Sequence, residues 1–575
     1  TSPSKPIDVE LGKLSQNRIQ GIAGASGVAV GPVFHFERKK IDIEETFESE
    51  SVEKDALQKA VEQAKGQLIY LRDKMQSEKA NSEAAIFDVH LGLLEDVEIL
   101  DEVLEKIDRK QSAALAWQTT IEARAKLVAE LKDPLLSARA ADLHDVGYRV
   151  LRILVGADEQ SLQLPDHPVI IIADDLAPSD TAALDVNKVL GFCTVQGGPT
   201  THTAIIARSL GLPAVVSAGK SILSLQASTQ IIVNGDDGTI TINPDQKELD
   251  FAKEQKRKAD QLIAQAQAAA DEPAITLDGH RVEIAANIGG IEDAKKAMTS
   301  SAEAVGLLRT EFLFLERSDP PSEEEQFEVY RDIAKVMQGQ PVIIRTLDVG
   351  GDKPLPYIHV DEEANPFLGE RGIRLCLAQP ELLRQQIHAI VRASKFGKLR
   401  IMFPMIADLS ELKAAREMVS EIESELNISG IEVGIMIEVP SAAMMADILA
   451  EYVDFFSIGT NDLTQYTLAM DRMNPNLAGK SDGLHPAVLR LIQKTIQAAH
   501  QAGKWVGVCG ELGADPTAIP ILTGMGIDEL SVTVPAVPMV KAQVRKLNYQ
   551  ETKILANRAL QCATAAEVRK LKLDS

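Results

Sequence analysis

The feature that most restricts the fold is a series of eight short β-prone runs that alternate with helical stretches after residue 276. The runs read VEIAANI, AVGLLRT, VIIRTLD, LRIMFPM, VGIMIEV, DFFSIGT, WVGVCGE and ELSVT. Strands that alternate with helices are typical of a parallel sheet. Eight of them over about 300 residues match a (β/α)8 TIM barrel better than a doubly wound sheet, whose strand count is usually lower. We therefore predict a barrel over 276–575.

The first half of the chain combines β-prone and helical segments. A Gly-rich, β-prone segment covers 19–40, and short β-branched runs closed by turn residues return over 158–245. Between them, 41–157 carries apolar residues at helical spacing. The sequence thus predicts a multidomain α/β protein in which a helical bundle is inserted into an α/β domain. Residues 1–18 form a polar N-terminal segment, and the charged, Ala-rich residues 246–275 predict a helical linker.

Composition excludes several classes of protein. The formal net charge of −24 repels a phosphate backbone, so we expect no nucleic-acid partner. No apolar run approaches the roughly 20 residues that a membrane helix needs, and the N-terminus lacks a signal pattern. Four scattered cysteines are typical of a reducing compartment. We therefore predict a cytoplasmic protein without membrane insertion. Because the N-terminal segment is polar and the sequence does not begin with Met, a further module upstream of Thr1 stays an open alternative.

Polar side chains gather where the predicted barrel strands end. They are Asn287, Arg309, Glu311, Arg345, Asp348, Glu438, Asn461, Asp462, Cys509 and Glu511. Active sites of parallel barrels are built at the carboxyl ends of the strands, so this placement predicts a catalytic site. Glu438 and Asp462 each follow a buried strand, and hard oxygen ligands from separate strands suit Mg²⁺. The alternative is that each carboxylate caps the next helix.

Four arginines and one cysteine complete the predicted mouth. Arg309, Arg345, Arg371 and Arg472 lie at strand ends or in adjoining loops. Their guanidinium forks suit a small substrate that carries phosphate and carboxylate groups, although Arg472 alone also fits a surface salt bridge. Cys509 ends an apolar strand beside a glycine. It is either a proton donor to a bound substrate or an inert buried thiol.

A second cluster, GGPTTHTAIIARSLGLPAV, covers residues 197–215. After a Gly-rich turn, His202 opens a short helix that Gly211 closes. A phosphorylated imidazole at this position would be stabilised by the helix dipole, by free amides and by hydroxyl groups. The alternative is a structural histidine, which is our interpretation of His90 and His144 in helical patterns.

Together these motifs resemble the enzyme I family of the bacterial phosphoenolpyruvate:sugar phosphotransferase system, over about residues 19–570. The matching strings are GGPTTHTAIIARSLGLPA, GLLRTEFLF, RTLDVGGDKP, NPFLGERGIRL, LRIMFPMI, EVPSAA, DFFSIGTNDLTQYTLAMDR and GVCGELGADP. The resemblance implies a phosphoenolpyruvate-protein phosphotransferase. In that family the barrel binds phosphoenolpyruvate with Mg²⁺ and forms a homodimer. The α/β domain carries the phosphohistidine to the barrel mouth, and the helical insert docks the phosphocarrier HPr.

The resemblance also implies a role for each site residue. His202 takes the phosphoryl group and passes it to a histidine of HPr, which starts the sugar-uptake phosphorelay. Cys509 is the acid that protonates the enolate at carbon 3, and Glu438 and Asp462 bind the metal. The residues that hold the substrate are Arg309, Arg345, Arg371, Asn461 and Arg472.

Three other functions are compatible with parts of the sequence. A nitrogen-related enzyme I, or the enzyme I portion of a fused multi-phosphoryl-transfer protein, would use the same chemistry. An ATP-using relative such as pyruvate phosphate dikinase needs a nucleotide-binding domain, and only about 200 residues precede His202. A non-enzymatic scaffold would have lost His202 or a metal ligand, and the sequence keeps them all.

Overall fold

The structure, a computed structural model, divides the 575-residue chain into two compact units, Thr1–Ala259 and Asp260–Ser575. The residues that it describes are 17–36, 41, 43, 46–77, 81–129, 134–157, 164–176, 180, 184–198, 201–315, 317, 319–350, 355, 357–358, 363–472, 474, 477 and 480–573. Each unit has apolar clusters of its own.

The first unit contains an eight-stranded sheet in the order β1-β8-β7-β3-β4-β5-β6-β2. Its strands are β1 Arg18–Gln20, β2 Ile22–Ala25, β3 Val28–His35, β4 Val169–Ala173, β5 Val189–Thr194, β6 Ala214–Val216, β7 Gln230–Asn234 and β8 Thr239–Ile242. Successive residues of a strand point to opposite faces, so Ile170 and Ile172 enter one apolar cluster and Val169 and Ile171 the other. Both faces of this sheet are therefore buried at β4.

Among the residues that the structure describes, five helices lie between β3 and β4 in the sequence. They are Glu50–Ser77, Asn81–Leu94, Val97–Asp108, Ala113–Ala129 and Pro134–Leu154. Their shared core contains the fully buried Trp117, whose Nε1 donates to the carbonyl oxygen of Gly147 at 3.0 Å. Because β3 and β4 pair in one sheet, the arrangement is compatible with a helical insert. The predicted domain boundaries remain a prediction.

The predicted linker forms a helix, Gln246–Ala268, which is shorter than the predicted range 246–275. Asp245 precedes it and accepts the backbone N–H of Glu248 at 2.8 Å, which satisfies a free amide of the first turn. The chain turns after Ala268, and Pro273 cannot donate a helical hydrogen bond. The high helix propensity of these residues therefore made the predicted helix longer than the observed one.

The second unit is a closed barrel of eight strands, and every neighbouring pair in it is parallel. The strands are β9 Glu283–Ile288, β10 Val305–Arg309, β11 Val342–Arg345, β12 Leu399–Phe403, β13 Glu432–Ile437, β14 Phe455–Ile458, β15 Trp505–Val508 and β16 Glu529–Thr533. They coincide with the eight predicted runs, so the predicted fold class is confirmed. Burial on both faces explains why the runs read as continuous apolar segments.

Helices surround these strands. They are Ile291–Thr299, Glu311–Phe314, Glu323–Val336, Ile373–Ala378, Pro380–Ala393, Leu409–Leu426, Pro440–Met444, Ala446–Leu449, Thr460–Leu468, Pro486–Gln501, Ala518–Met525, Val537–Val544, Tyr549–Gln561 and Ala565–Arg569. Most of the core lies between strands and helices. A smaller cluster that includes Leu307, Met402, Phe455 and Cys509 fills the interior of the barrel. Within the described ranges, no helix combines the length and apolar character that crossing a membrane requires.

Candidate active site

Two buried arginines bind carboxylates across the strand ends of the barrel. Arg345, the last residue of β11, donates from Nη2 to Glu311 Oε1 at 2.7 Å, and its Nη1 lies 2.9 Å from Asp348 Oδ2. Arg371 donates to both oxygens of Asp348 at 3.1 and 3.2 Å and to both oxygens of Asp462 at 3.2 Å. These paired contacts fix the two aspartates in a single orientation.

Glu438 follows β13 directly and is completely buried. Its Oε1 accepts the backbone N–H of Met405 at 2.7 Å, whereas Oε2 has no hydrogen-bond partner within the described part of the chain. Burial raises the pKa of Glu438 to about 8, and the charges of Asp348 and Asp462 contribute to that shift. Met405 has a φ of +57°, a left-handed conformation that is strained for a side chain of this kind. The left-handed backbone of Met405 thus directs its N–H toward the Glu438 carboxyl group.

The buried part of the mouth holds more negative than positive charge. Its ionisable members are Glu311, Asp348, Glu438, Asp462, Arg345 and Arg371. If all six groups were ionised, four carboxylates against two guanidinium groups would carry a formal charge of −2, and the raised pKa of Glu438 is the response to this excess of carboxylates. An uncompensated buried charge is costly, and a divalent cation would neutralise it.

The donor set also fits Mg²⁺, which keeps several waters and needs only one or two protein carboxylates. Glu438 offers a buried oxygen without a partner, and Asp462 shares its oxygens with Arg371. No cluster of three or more His, Cys, Asp or Glu suited to a metal occurs among the residues described. The fit therefore rests on two carboxylates and the charge of their surroundings.

Three further predicted residues lie nearer the rim. Arg309 ends β10 in register with Arg345, and its side chain is exposed. Arg472 Nη2 lies 3.9 Å from Asp462 Oδ1, so the structure brings it to the same carboxylate as Arg371. Asn461 Oδ1 accepts the backbone N–H of Glu511 at 3.0 Å, which ties the segment after β14 to the segment after β15.

Cys509 follows β15 directly and is buried inside the barrel. Its Sγ donates to the carbonyl oxygen of Ile458 at 3.6 Å. Burial raises the pKa of the Cys509 thiol to about 11, and the neighbouring Ser457 hydroxyl partly offsets that effect. The thiol therefore keeps its proton at neutral pH, which is required of an acid and not of a thiolate nucleophile.

His202 is the first residue of the helix His202–Leu210, as its predicted position at a helix start requires. The helix ends at Gly211, which adopts the left-handed conformation with a φ of +67°. Before the helix, Thr201 Oγ1 donates to the carbonyl oxygen of Gly198 at 2.8 Å and closes the turn. The side chain of His202 lies outside the described part of the structure, so its contacts stay a prediction.

Sequence reasoning missed several residues that support the mouth. Tyr466 accepts a hydrogen bond from Arg371 Nη1 at 3.3 Å, and Gln386 Oε1 accepts the backbone N–H of Leu347 at 2.8 Å. Tyr466 lies four residues after Asp462 in one helix, so helical spacing could have indicated it. The sequence around Gln386 carries no comparable signal.

The chain is similar in sequence to known proteins over nearly its whole length. Three family models match: "PEP-utilising enzyme, PEP-binding domain" over 263–549, "PEP-utilising enzyme, N-terminal" over 20–139, and "PEP-utilising enzyme, mobile domain" over 165–238. A phosphoenolpyruvate-protein phosphotransferase of Staphylococcus carnosus is 42% identical over 563 residues, 96% of this chain and 98% of that protein. A multiphosphoryl transfer protein of Rhodobacter capsulatus is 48% identical over 555 residues, 96% of this chain and 67% of that protein. A solution structure of an Enzyme I protein is 35% identical, covers 42% of this chain and 99% of that chain, and gives a TM-score of 0.36.

Proposed function

Because the chain belongs to the phosphoenolpyruvate-protein phosphotransferase family, we propose that it carries the phosphoryl group of phosphoenolpyruvate on His202. From His202 the group passes to a histidine of an HPr-type phosphocarrier and starts a sugar-uptake phosphorelay. The observation that carries this proposal is the buried network of arginines and carboxylates at the barrel mouth. Such a network suits a small substrate with phosphate and carboxylate groups.

We assign substrate binding to the five predicted residues of the mouth. Arg309 and Arg472 have N–H donors that no described residue uses, so they are the simplest ligands for phosphate and carboxylate oxygens. Arg345 and Arg371 use part of their forks on carboxylates and fix the direction of the rest. Asn461 adds an amide at the junction of two loops.

Glu438 and Asp462 are the proposed ligands of Mg²⁺. When bound there, the ion would neutralise phosphate charge and stabilise the departing enolate. The buried excess of carboxyl groups over guanidinium groups, four against two, supports this assignment. Glu438 Oε2 is the oxygen that lacks a protein partner in the described structure.

Two residues carry the proposed chemistry: His202 accepts the phosphoryl group, and Cys509 donates a proton. Phosphoryl transfer passes through a loose transition state, so positioning and charge neutralisation supply most of the catalysis. An unprotonated ring nitrogen of His202 attacks the phosphorus as the bond from phosphorus to the enol oxygen breaks. Cys509 then gives its thiol proton to carbon 3 of the enolate, and pyruvate leaves. The raised pKa of Cys509 supports this role, since the proton is present at neutral pH.

Incubation with labelled phosphoenolpyruvate and Mg²⁺, with and without HPr, tests the proposal. We expect acid-labile, alkali-stable label on the native chain, its transfer to HPr, and no label on His202→Ala. His144→Ala changes an exposed helical histidine and should label like the native chain. An intact native chain that takes no label would contradict the enzyme assignment, and label that never leaves would contradict HPr as the partner.

A second candidate function has the same chemistry but belongs to a different type of protein. The multiphosphoryl transfer protein of Rhodobacter capsulatus is 48% identical, and this chain spans 67% of it. We therefore retain a fused multi-phosphoryl-transfer protein, or a nitrogen-related enzyme I, as the alternative. Sequencing the complete reading frame around Thr1 separates these cases, because carrier or sensor modules ahead of it would identify the branch.

The partner and location assignments also remain proposals. We propose a homodimer formed through the barrel unit and a cytoplasmic location. Sedimentation equilibrium of the complete chain tests the first assignment, with a mass that depends on protein concentration as the expected result. Fractionation of source cells tests the second.

A further inference from the structure

A second set of ionisable side chains lies inside the barrel, at the end opposite the mouth. Glu529, the first residue of β16, is 1% exposed, and neither of its carboxyl oxygens has a hydrogen-bond partner among the described residues. Burial raises the pKa of Glu529 to about 8, and the charge of Glu283 contributes. The carboxyl group therefore holds a proton at neutral pH, although nothing in the proposed reaction uses it so far.

Two glycines make room for this carboxyl group. A β-carbon built at Gly507 would lie 2.8 Å from Glu529 Oε1, and one built at Gly306 would lie 2.5 Å from it. The carboxyl group thus rests against β15 at Gly507. Residues two apart on a strand face the same side and lie about 6.5–7 Å apart, so Cys509 is the next interior side chain toward the mouth. This spacing suits a proton path through a water and one hydroxyl group.

Polar side chains also lie on the strands beside Glu529 and Cys509. Ser531, two residues after Glu529 on β16, donates from Oγ to Asn287 Oδ1 at 2.7 Å. Asn287 Nδ2 donates to the carbonyl oxygen of Cys509 at 3.1 Å. The buried Ser457 hydroxyl has no hydrogen-bond partner among the described residues; it lowers the pKa of the Cys509 thiol, whereas the charge of Glu529 raises it. Buried carboxyl oxygens without a protein partner ordinarily bind water, which would complete the path.

We propose that Glu529 resupplies the proton that Cys509 gives to the enolate. The inference rests on the acid role of Cys509 in the proposed function. After carbon 3 has taken the proton from Sγ, the thiolate regains one from the Glu529 carboxyl group through water and the Ser457 hydroxyl. The O–H bond of Glu529 breaks as the new S–H bond forms, and a carboxylate remains. Glu529 contacts no substrate and acts only through Cys509.

The charges that face Glu529 suit a group that must both release and regain a proton. Arg400 of β12 stabilises the carboxylate, whereas Glu283 of β9 and the adjacent Asp528 oppose it. Arg400 is itself paired with Glu432 of β13, at 2.5 Å between Nε and Oε2. Glu283 is partly exposed at the start of β9, so it offers the route by which solvent returns the proton.

The test follows pyruvate formation by the complete chain from the first turnover onward, with saturating HPr and Mg²⁺. Cys509 begins with its proton, so Glu529→Gln should give a burst of one pyruvate per active site at the native rate. Later turnovers should then be about tenfold slower, since the thiolate must regain its proton without the carboxyl group. The native chain should show no such burst under the same conditions.

Matched variants make each outcome decisive. Glu381→Gln changes a carboxyl group at an exposed helical position and should turn over like the native chain. A folded Glu529→Gln variant, checked by thermal melting, that slows the first and later turnovers equally would overturn the proposal, as would one without a burst. Cys509→Ala should slow the first turnover as well. A native first turnover in Cys509→Ala would instead contradict the acid role itself.

Discussion

Arg371 joins two of the carboxylates on which the barrel mouth depends. Its side chain is 3% exposed, and the guanidinium group binds Asp348 along one edge and Asp462 along another. Only a planar group with several fixed N–H donors can serve both carboxylates at once. The position therefore requires arginine and not merely a positive charge.

Replacement of Arg371 by lysine tests that requirement. We expect kcat/KM for phosphoenolpyruvate to fall about 100-fold, since displaced carboxylates misplace the substrate. The free energy of unfolding should fall by about 1–3 kcal/mol, because buried carboxylate oxygens lose their donors. Steady-state kinetics and urea unfolding measure both quantities. Arg374→Lys is the control, because Arg374 is partly exposed and its Nε lies 3.6 Å from Glu411. Native kinetics in Arg371→Lys would contradict the bridging role.

Glu529 also makes the stability of the protein depend on pH. Its pKa is about 8 in the folded chain and about 4.3 in an unfolded one. Between these values only the folded state holds the proton, so the contribution is complete below pH 4.3 and is lost progressively up to pH 8. We expect Glu529→Gln to exceed the native chain in unfolding free energy by a few kcal/mol, on the order of that loss, at pH 8.5. The two should be close near pH 4.5.

Urea unfolding at several pH values measures this difference, and Glu381→Gln, at an exposed helical position, is the control. A difference between Glu529→Gln and the native chain that stays constant with pH would contradict the protonated state of Glu529.

At the scale of residues, the sequence predicted where the site residues lie better than which side chains they contact. Glu438, Asp462 and Arg345 were expected at one mouth because strand ends of a parallel barrel meet there. The pairing of Arg371 with Asp348 joins loops 23 residues apart in sequence. It depends on the path of those loops, which no local pattern encodes. The left-handed Met405 likewise gives no signal in its own sequence.

At the scale of elements, the helices Ala113–Ala129 and Pro134–Leu154 approach closely at one glycine. A β-carbon built at Gly147 would lie 2.5 Å from Ile121 Cγ2, closer than packed atoms allow. Trp117 also donates to the carbonyl oxygen of Gly147. The absence of a side chain at this position thus lets the two helices meet.

Gly147→Val should therefore destabilise the helical part by about 1–3 kcal/mol through overpacking. Gly66→Ala is the matched control, because nothing lies within 4 Å of the added β-carbon. It should stabilise the helix by about 0.5–1 kcal/mol, because alanine has the higher helix propensity. Thermal unfolding followed by circular dichroism compares the two. Equal effects of both variants would contradict the close approach at Gly147.

The eight barrel strands were predictable because each is short, β-rich and buried on both faces. The end of the linker helix was not, because Ala-rich composition continues past Ala268 while tertiary contacts decide where the chain turns. Lys541 illustrates such contacts, since its Nζ donates to the carbonyl oxygen of Ala270 at 2.9 Å. Its partner lies 271 residues away in sequence.

At the scale of the whole molecule, the chain consists of two compact units with separate cores. Separate cores lead to separate unfolding transitions, and a ligand stabilises only the unit that binds it. The barrel unit contains the proposed substrate and metal residues. The two transitions should therefore respond differently to phosphoenolpyruvate.

Calorimetry of His202→Ala, which cannot take the phosphoryl group, should show two transitions. Phosphoenolpyruvate with Mg²⁺ at 100 times Kd should stabilise one of them by about 2.7 kcal/mol and leave the other unchanged. The same experiment with Arg371→Lys added should lose most of that shift. Equal shifts of both transitions would contradict binding by the barrel unit alone.

The connection between β3 and β4 has a consequence for how such proteins diversify. The two strands are parallel neighbours, with Val33 opposite Ile170, so the chain needs a return path between them. The five helices from Glu50 to Leu154 form that path. The helical segment thus begins and ends at neighbouring strands of the sheet. It can therefore be replaced while the sheet beside His202 keeps its register. Changes of length or sequence in these helices should therefore leave the strands around His202 in place.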